Sequence, residues 1–179
     1  MRIIGGKYRG KKLFSPQSEN VRPTSDKARE ALFNILRNKL GANFGEYKLL
    51  DIFSGSGAFG LEALSQGFAK VALVDIDVKD LLKNVKLFEC EKAKIEVIKA
   101  DATKPLQLGE KFDVLFMDAP YNKGLSEKAL HNIIPNLNNG ALCLVELEKN
   151  EVCDLPQGYK ILDERRYGLA KVVIAEFIC

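Results

Sequence analysis

Asp118-Ala119-Pro120-Tyr121 joins a carboxylate, a proline-stiffened turn and an aromatic ring in consecutive positions. The tetrapeptide directly follows the apolar run 112–117, whose length and composition predict a buried strand. The group therefore stands where a strand ends. A carboxylate and turn carbonyls accept hydrogen bonds from an exocyclic amine, and a ring stacks on the flat base that carries it. Upstream, Leu49-Leu50-Asp51-Ile52-Phe53-Ser54-Gly55-Ser56-Gly57-Ala58-Phe59-Gly60 supplies a strand, a glycine turn and a helix start. Glycines there let backbone amides approach a ligand at the helix N-terminus. Asp75 lies 18 residues after Gly57, at the end of the next strand, where a carboxylate can hold both hydroxyls of a ribose. One part of the chain thus suits a nucleotide-like cofactor, and the other suits a base.

The elements that would position these residues alternate. Strands are predicted at 48–53, 70–75, 94–99, 112–117 and 140–146. Helices are predicted at 57–66, 78–91 and from Ser126 to about Ile134. This is the pattern of a doubly wound, mostly parallel α/β sheet with helices on both faces. Residues 159–166 and 170–178 flank Gly168 and read as an antiparallel hairpin added at the sheet edge. Residues 2–14 read as a short β-hairpin. A polar loop spans 15–24, and a helix capped by Thr24 or Ser25 ends at Gly41. The division expected is an N-terminal extension, 1–41, before a catalytic domain, 42–179.

In a parallel sheet the strand ends converge on one crevice. Asp75, Asp101 and Asp118 each follow a different apolar strand, and Asp51 lies within the first. Asp77 is better suited to capping the helix that starts near Val78. His131 falls off the apolar face of Leu130, Ile133 and Ile134 and is expected at the surface. No Lys-Ser/Thr pair follows Gly60, which argues against a P-loop. Nothing forms a Ser-His-Asp triad or a metal site.

Composition sets wider bounds. At 179 residues, with 46% hydrophobic and 28% charged residues, the chain is sized for one globular domain with a small appendage. No membrane span or signal core is visible, so a cytosolic protein is expected. Cys90, Cys143, Cys153 and Cys179 are widely spaced and read as reduced thiols. Residues 1–40 carry ten Lys or Arg against three Asp or Glu, a net of +7, which leaves −4 for the rest of the +3 chain. Arg2, Lys7, Arg9, Lys11 and Lys12, interleaved with Tyr8 and glycines, suit phosphate contacts with some stacking. A solvated charged face is the plainer alternative.

These residues alone leave three functions open: methyl transfer to a base, a nicotinamide-dependent oxidoreductase, or an RNA-binding assembly factor without catalysis. A resemblance favours the first. The blocks Arg2-Ile3-Ile4-Gly5-Gly6-Lys7-Tyr8-Arg9-Gly10 and Arg22-Pro23-Thr24-Ser25-Asp26, with Arg29-Glu30 and Leu32-Phe33-Asn34, resemble the RsmD family. So does Leu50-Asp51-Ile52-Phe53-Ser54-Gly55-Ser56-Gly57. Members are class I S-adenosylmethionine-dependent methyltransferases that modify the 2-amino group of a guanine in 16S ribosomal RNA.

The resemblance implies a Rossmann-like seven-stranded sheet and S-adenosylmethionine as cofactor. Asp51, Gly55 and Gly57 would flank its methionine portion, with Phe53 and Ser56 beside them. Asp75 would take the ribose, with Ile76 alongside, and Asp101 with Ala102 would meet the adenine. Asp118, Pro120 and Tyr121 would hold the target guanine. Arg22 joins the RNA-contact set, although its block could fold back toward the cofactor crevice. The partner would be 16S ribosomal RNA or the small ribosomal subunit, and nothing requires more than a monomer. The chain departs from the family at Ala119, where a first proline is usual. Pro120 still biases Ala119 toward an extended backbone, so its carbonyl can keep its aim.

Overall fold

A computed structural model describes residues 1–15, 26–120 and 124–179. The expected cap at Thr24 or Ser25, most of the polar loop, Arg22 and Tyr121 lie outside the described residues.

Seven strands form one sheet in the order β3-β2-β1-β4-β5-β7-β6. They are β1 (Lys48–Ile52), β2 (Lys70–Asp75), β3 (Ile95–Lys99), β4 (Phe112–Asp118), β5 (Leu137–Glu148), β6 (Tyr159–Tyr167) and β7 (Ala170–Phe177). The first five run parallel. β7 inserts antiparallel between β5 and β6. The chain winds outward from β1 to β3, then crosses back to β4 on the other side of β1. That reversal opens a crevice at the C-terminal ends of β1 and β4, where ligands of such sheets bind.

Side-chain alternation divides the core into two layers. One face carries Leu49, Leu73, Val114, Phe116 and Leu144, and the other carries Leu50, Ile52, Ala72, Leu115 and Val145. Helices α1 (Asp26–Leu40) and α2 (Ala58–Ser65) cover the first face. Phe59 of α2 stacks on Phe116 with centroids 3.7 Å apart, and Phe33 of α1 stacks on Phe59 at 4.9 Å. Helix α4 (Leu125–Ile133) covers the second face through Ala129, Leu130 and Ile133.

Two expected elements are cut short. The N-terminal hairpin forms around a 3-10 turn at Gly6–Tyr8 with one bridge, Arg2 with Lys12, and its arms are joined by Ile3 N–H to the Lys11 carbonyl at 2.9 Å, Gly10 N–H to the Ile3 carbonyl at 2.9 Å and Leu13 N–H to the Met1 carbonyl at 3.1 Å. Three further backbone donors turn to α2. The Glu62 carboxylate accepts from Ile4 N–H at 2.7 Å and Gly5 N–H at 2.8 Å, and Ser65 Oγ accepts from Tyr8 N–H at 2.9 Å. Arg29, buried beside Glu62, donates to the Arg2 carbonyl at 2.5 Å. Ile3 and Leu13 enter the core, so the segment is docked along most of its length.

The long helix expected over 78–91 is also broken. Helix α3 is confined to Lys79–Val85, and a 3-10 stretch follows to Lys94. Phe88 leaves helical geometry, with φ −118° and ψ 33°, and its ring meets Tyr8 edge-on at 5.0 Å. Tertiary burial of that ring overrides the helical period. Among the described residues no helix is long and apolar enough to cross a membrane.

Candidate active site

The apolar pattern that builds β1 also buries a carboxylate. Asp51 is 1% exposed, in a row with Leu73 of β2 and Phe116 of β4. Its Oδ2 accepts the Gly60 N–H at 2.9 Å, whereas Oδ1 has no hydrogen-bond partner among the described residues. Burial pushes its pKa up to about 8, the Gly60 hydrogen bond opposes the shift, and the negative charge of Asp75 adds to it. A buried acceptor without a donor suits an incoming cation or N–H group.

The turn after β1 is built for close approach. Phe53 holds φ 58°, a left-handed conformation that bulky residues rarely adopt. Such strain clusters at ligand sites. At Gly60 an added Cβ would come within 2.1 Å of Leu73 Cδ2 and 3.2 Å of Asp51 Oδ2, so only glycine lets α2 sit this close to the sheet. Gly55 faces open space. Ser54 Oγ is buried without a partner among the described residues, and Ser56 is buried.

Asp75 ends β2 and braces this turn. Its Oδ2 accepts the Gly55 N–H at 2.7 Å, and its Oδ1 accepts the Asp77 N–H at 2.9 Å. Each oxygen keeps a second lone pair for a hydroxyl donor. Ile76 beside it is 67% exposed, an apolar surface at the rim of the crevice. Asp77 accepts from Lys79 N–H at the start of α3, the capping role expected of it. Beyond β3, Asp101 Oδ1 accepts from the Thr103 N–H and hydroxyl, which lowers its pKa, and Ala102 is buried.

Asp118 ends β4 half-buried, Ala119 is buried, and Pro120 is exposed. Desolvation raises the Asp118 pKa well above the carboxylate range, reinforced by the charges of Glu146 and Asp51. The opposite end of the sheet differs. There Lys48 and Lys70 pair with Glu110, and Lys70 with Glu96 at 2.7 Å. Neither Asp51 nor Asp118 forms an ion pair among the described residues. The carboxylates at that end are matched by lysines, in contrast to Asp51 and Asp118.

The expected cofactor residues and Asp118 thus share one sheet edge. Two further groups emerge only from the fold. Glu146 ends the apolar run of β5 in register with Asp118. Its signal, an acid closing an apolar strand, is the one that marks Asp75 and Asp118. Asn84 is wholly buried in α3 and donates to the Ser56 carbonyl at 2.9 Å, which ties the glycine turn to the helix. No local sequence pattern marks it.

The basic N-terminal residues divide into two groups. Lys7 pairs with Glu91 at 2.5 Å, and the Tyr8 hydroxyl donates to the same carboxylate at 3.1 Å. Lys7, with Lys94 and Tyr8, holds the Glu91 pKa down to about 2 against its burial. Lys11 donates to the Leu87 carbonyl at 2.6 Å and lies over the Tyr8 and Phe88 rings. Arg2 pairs with Asp26 at 3.4 Å. Arg9 and Lys12 are exposed, with no ion-pair partner among the described residues.

Known proteins resemble this chain in sequence and fold. The family model "Conserved hypothetical protein 95" matches residues 1–176. Ribosomal RNA small subunit methyltransferase D of Haemophilus influenzae is 36% identical over 177 residues, covering 94% of this chain and 90% of that protein. The solved putative methyltransferase yhhF from Escherichia coli superposes with a TM-score of 0.83 at 32% identity, covering 99% and 98% of the two chains. The fold is also that of the Thermus thermophilus 16S rRNA N2 methyltransferase RsmC, solved with AdoMet and guanosine. That match has a TM-score of 0.65 at 19% identity and covers 90% of this chain and 44% of that one. With a family model spanning nearly its whole length and relatives this similar at both levels, the chain belongs to the RsmD family of Rossmann-like methyltransferases.

Proposed function

We propose that the protein transfers a methyl group from S-adenosylmethionine to the exocyclic 2-amino group of a guanine in 16S ribosomal RNA of the small subunit. The observation that carries the reading is Asp118, an acceptor at the β1/β4 crevice, set beside Asp51 with its unpartnered Oδ1. The relatives' names support methyl transfer over hydride transfer, and they name ribosomal RNA of the small subunit as those proteins' substrate.

The residues present fit the cofactor. Asp51 Oδ1 would accept from the ammonium of its methionine portion, and Gly55 and Gly57 leave its backbone path clear. Asp75 would take the ribose hydroxyls, and Asp101 with Ala102 the adenine. When bound, the cofactor supplies a methyl group already activated by a sulfonium. The protein must then align a poor nucleophile, and positioning supplies much of the acceleration.

Asp118 and the Ala119 carbonyl would accept the two amine hydrogens and favour a pyramidal nitrogen. An ionised Asp118 oxygen would take the proton that the amine gives up on accepting the methyl group. The guanine must leave its stack to reach this depth, and Tyr121 would replace the lost stacking. The segment 1–41 would serve as the RNA-contacting extension and 42–179 as the catalytic unit.

Radiolabelled methyl transfer to small subunits from a strain lacking this enzyme, followed by mapping of the labelled nucleotide, tests the reading. The expected product is one 2-methylguanosine in 16S RNA. Label on another base, or none, would overturn it.

A further inference from the structure

We infer that Phe14 and Lys12 form a contact for one unpaired nucleotide of the substrate RNA, the ring stacking on its base and the ammonium meeting a phosphate. The inference rests on the RNA-substrate reading above and deepens it by naming residues that would hold a base beside the flipped guanine.

Phe14 is 54% exposed, and among the described phenylalanines and tyrosines it alone is exposed. An exposed apolar side chain is by itself unremarkable. What sets this one apart is its backbone. Asn84, wholly buried, accepts the Phe14 N–H at 2.7 Å and donates to the Phe14 carbonyl at 3.0 Å. Leu13 beside it is buried in the core. The ring therefore meets solvent from a fixed backbone, and a group held in place before binding loses little freedom when a ligand stacks on it.

The same amide fixes where the ring is rooted. Asn84 Nδ2 also donates to the Ser56 carbonyl at 2.9 Å, so both carbonyl oxygens lie within 3.0 Å of one nitrogen. Ser56 belongs to the glycine turn after β1, and β1 lies beside β4, which ends at Asp118. Phe14 is thus anchored at the sheet edge that carries the candidate site.

Lys12 supplies the charge. Burial alternates along the segment, with Lys12 exposed, Leu13 buried and Phe14 exposed. Residues two apart in extended backbone leave the same side, about 6.5 Å from one another. A base and the phosphate of its own nucleotide span a similar distance. Lys12 has no ion-pair partner among the described residues. A ring that takes any base face beside a cation that takes any phosphate is the make-up of single-strand binding surfaces. A paired and stacked helix offers such a ring no open base face. Flipping the target guanine does, because it leaves each neighbouring base unstacked on one side.

The chain contains no tryptophan, so Phe14→Trp places a single fluorophore at the contact. Its emission is recorded against a single-stranded oligoadenylate of about 12 nucleotides, a length such surfaces can span. It is recorded separately against S-adenosylhomocysteine, whose adenine is the other nucleobase that could reach a ring here. Saturable quenching by the RNA is expected, and none by S-adenosylhomocysteine alone. Phe14→Ala should weaken oligoadenylate binding by about 5- to 100-fold, the scale of one stacked base, with an unchanged salt slope. Lys12→Ala should instead lower that slope by about 1. Melting temperature and S-adenosylhomocysteine affinity should hold in Phe14→Ala, because Asn84 grips the backbone and not the ring. RNA that binds without quenching the tryptophan, parent affinity in Phe14→Ala, or quenching by S-adenosylhomocysteine alone would overturn the inference, as would a parent protein that does not bind oligoadenylate. Absence of 2-methylguanosine from 16S RNA would instead remove the underlying reading, and the fluorescence result would tell the two failures apart.

Discussion

Asn84 holds Phe14 and Ser56 with a single buried amide. Its Oδ1 accepts the Phe14 N–H at 2.7 Å, while Nδ2 donates to the Phe14 carbonyl at 3.0 Å and the Ser56 carbonyl at 2.9 Å. One side chain therefore joins the N-terminal segment to the glycine turn. Both lean on α2 as well: Ser56 precedes its first turn, and the Gly6–Tyr8 turn sits near its last, at Ser65. At 1.5 Å per residue, the eight steps from Gly57 to Ser65 separate the two by about 12 Å.

Replacing Asn84 by Ala leaves the Ser56 carbonyl buried without its donor and breaks the two part-buried bonds to Phe14. A loss of about 2–4 kcal/mol is expected, on the scale of buried unsatisfied groups. Cofactor affinity should fall with it, because the Ser56 carbonyl loses its anchor. Thermal unfolding with and without S-adenosylhomocysteine measures both. An Asn84→Ala protein with parent stability would show that the amide does not bear this load.

Asp51 should trade stability for binding. Its pKa in the folded chain is about 8, above the ordinary value, so the folded state holds a proton that the unfolded chain has released. Stability from this group is full below the unfolded pKa and is lost as pH rises toward 8. Asp51→Asn removes that loss. Without cofactor, the variant is expected to unfold at a temperature about 2–4 °C higher at pH 8, the shift for about 1 kcal/mol in a chain this long. No gain is expected near pH 4. S-adenosylmethionine binding, by calorimetry, should weaken by about tenfold or more. A variant that bound as tightly as the parent would leave Asp51 without a role at the cofactor.

Asp118 should set the acid limb of the rate. Burial and its two acidic neighbours keep its proton on at pH values where an ordinary carboxylate has released it. An amine bound as proposed needs an ionised acceptor, so kcat should climb with pH through a range above the usual carboxylate values. Glu146→Gln removes one neighbouring negative charge and should move this limb to lower pH. Asp118→Asn should cut kcat by about 100-fold or more and abolish the limb. Single-turnover rates from pH 5 to 9 separate these outcomes, and a limb that stayed in place in Glu146→Gln would contradict the coupling.

The exposed pair Arg9 and Lys12 should carry the RNA-binding role of the N-terminal segment. Changing both to Glu is expected to weaken RNA binding and to reduce the salt slope by about 2, one for each phosphate no longer neutralised. Melting temperature and cofactor affinity should hold. Lys7→Ala should instead lower the melting temperature, because Glu91 then keeps its burial without its chief partner. Binding titrations across salt concentrations, paired with melting curves, distinguish the two groups.

Much of the placement of the candidate site residues was legible before the fold. Apolar runs of strand length closed by Asp75 and Asp118, and glycines at 55, 57 and 60 before a helical period, are local patterns written in consecutive residues. Backbone sterics and side-chain alternation turn them into strand ends and a ligand turn wherever the chain places them. What local pattern could not supply was partnership. Glu146 meets Asp118 across 28 positions, Asn84 meets Phe14 across 70, and Lys7 meets Glu91 across 84. Each of those pairings depends on strand order and helix packing, and the charge of a lysine does not reveal whether it will face a phosphate or a glutamate. The N-terminal hairpin reads as two strands because short apolar arms flank the glycines at 5, 6 and 10. In the folded chain Ile3, Gly10 and Leu13 N–H groups pair across it, while the Ile4 and Gly5 N–H groups turn to the buried Glu62 carboxylate, a partner 57 or 58 positions away that only the packing of α2 supplies.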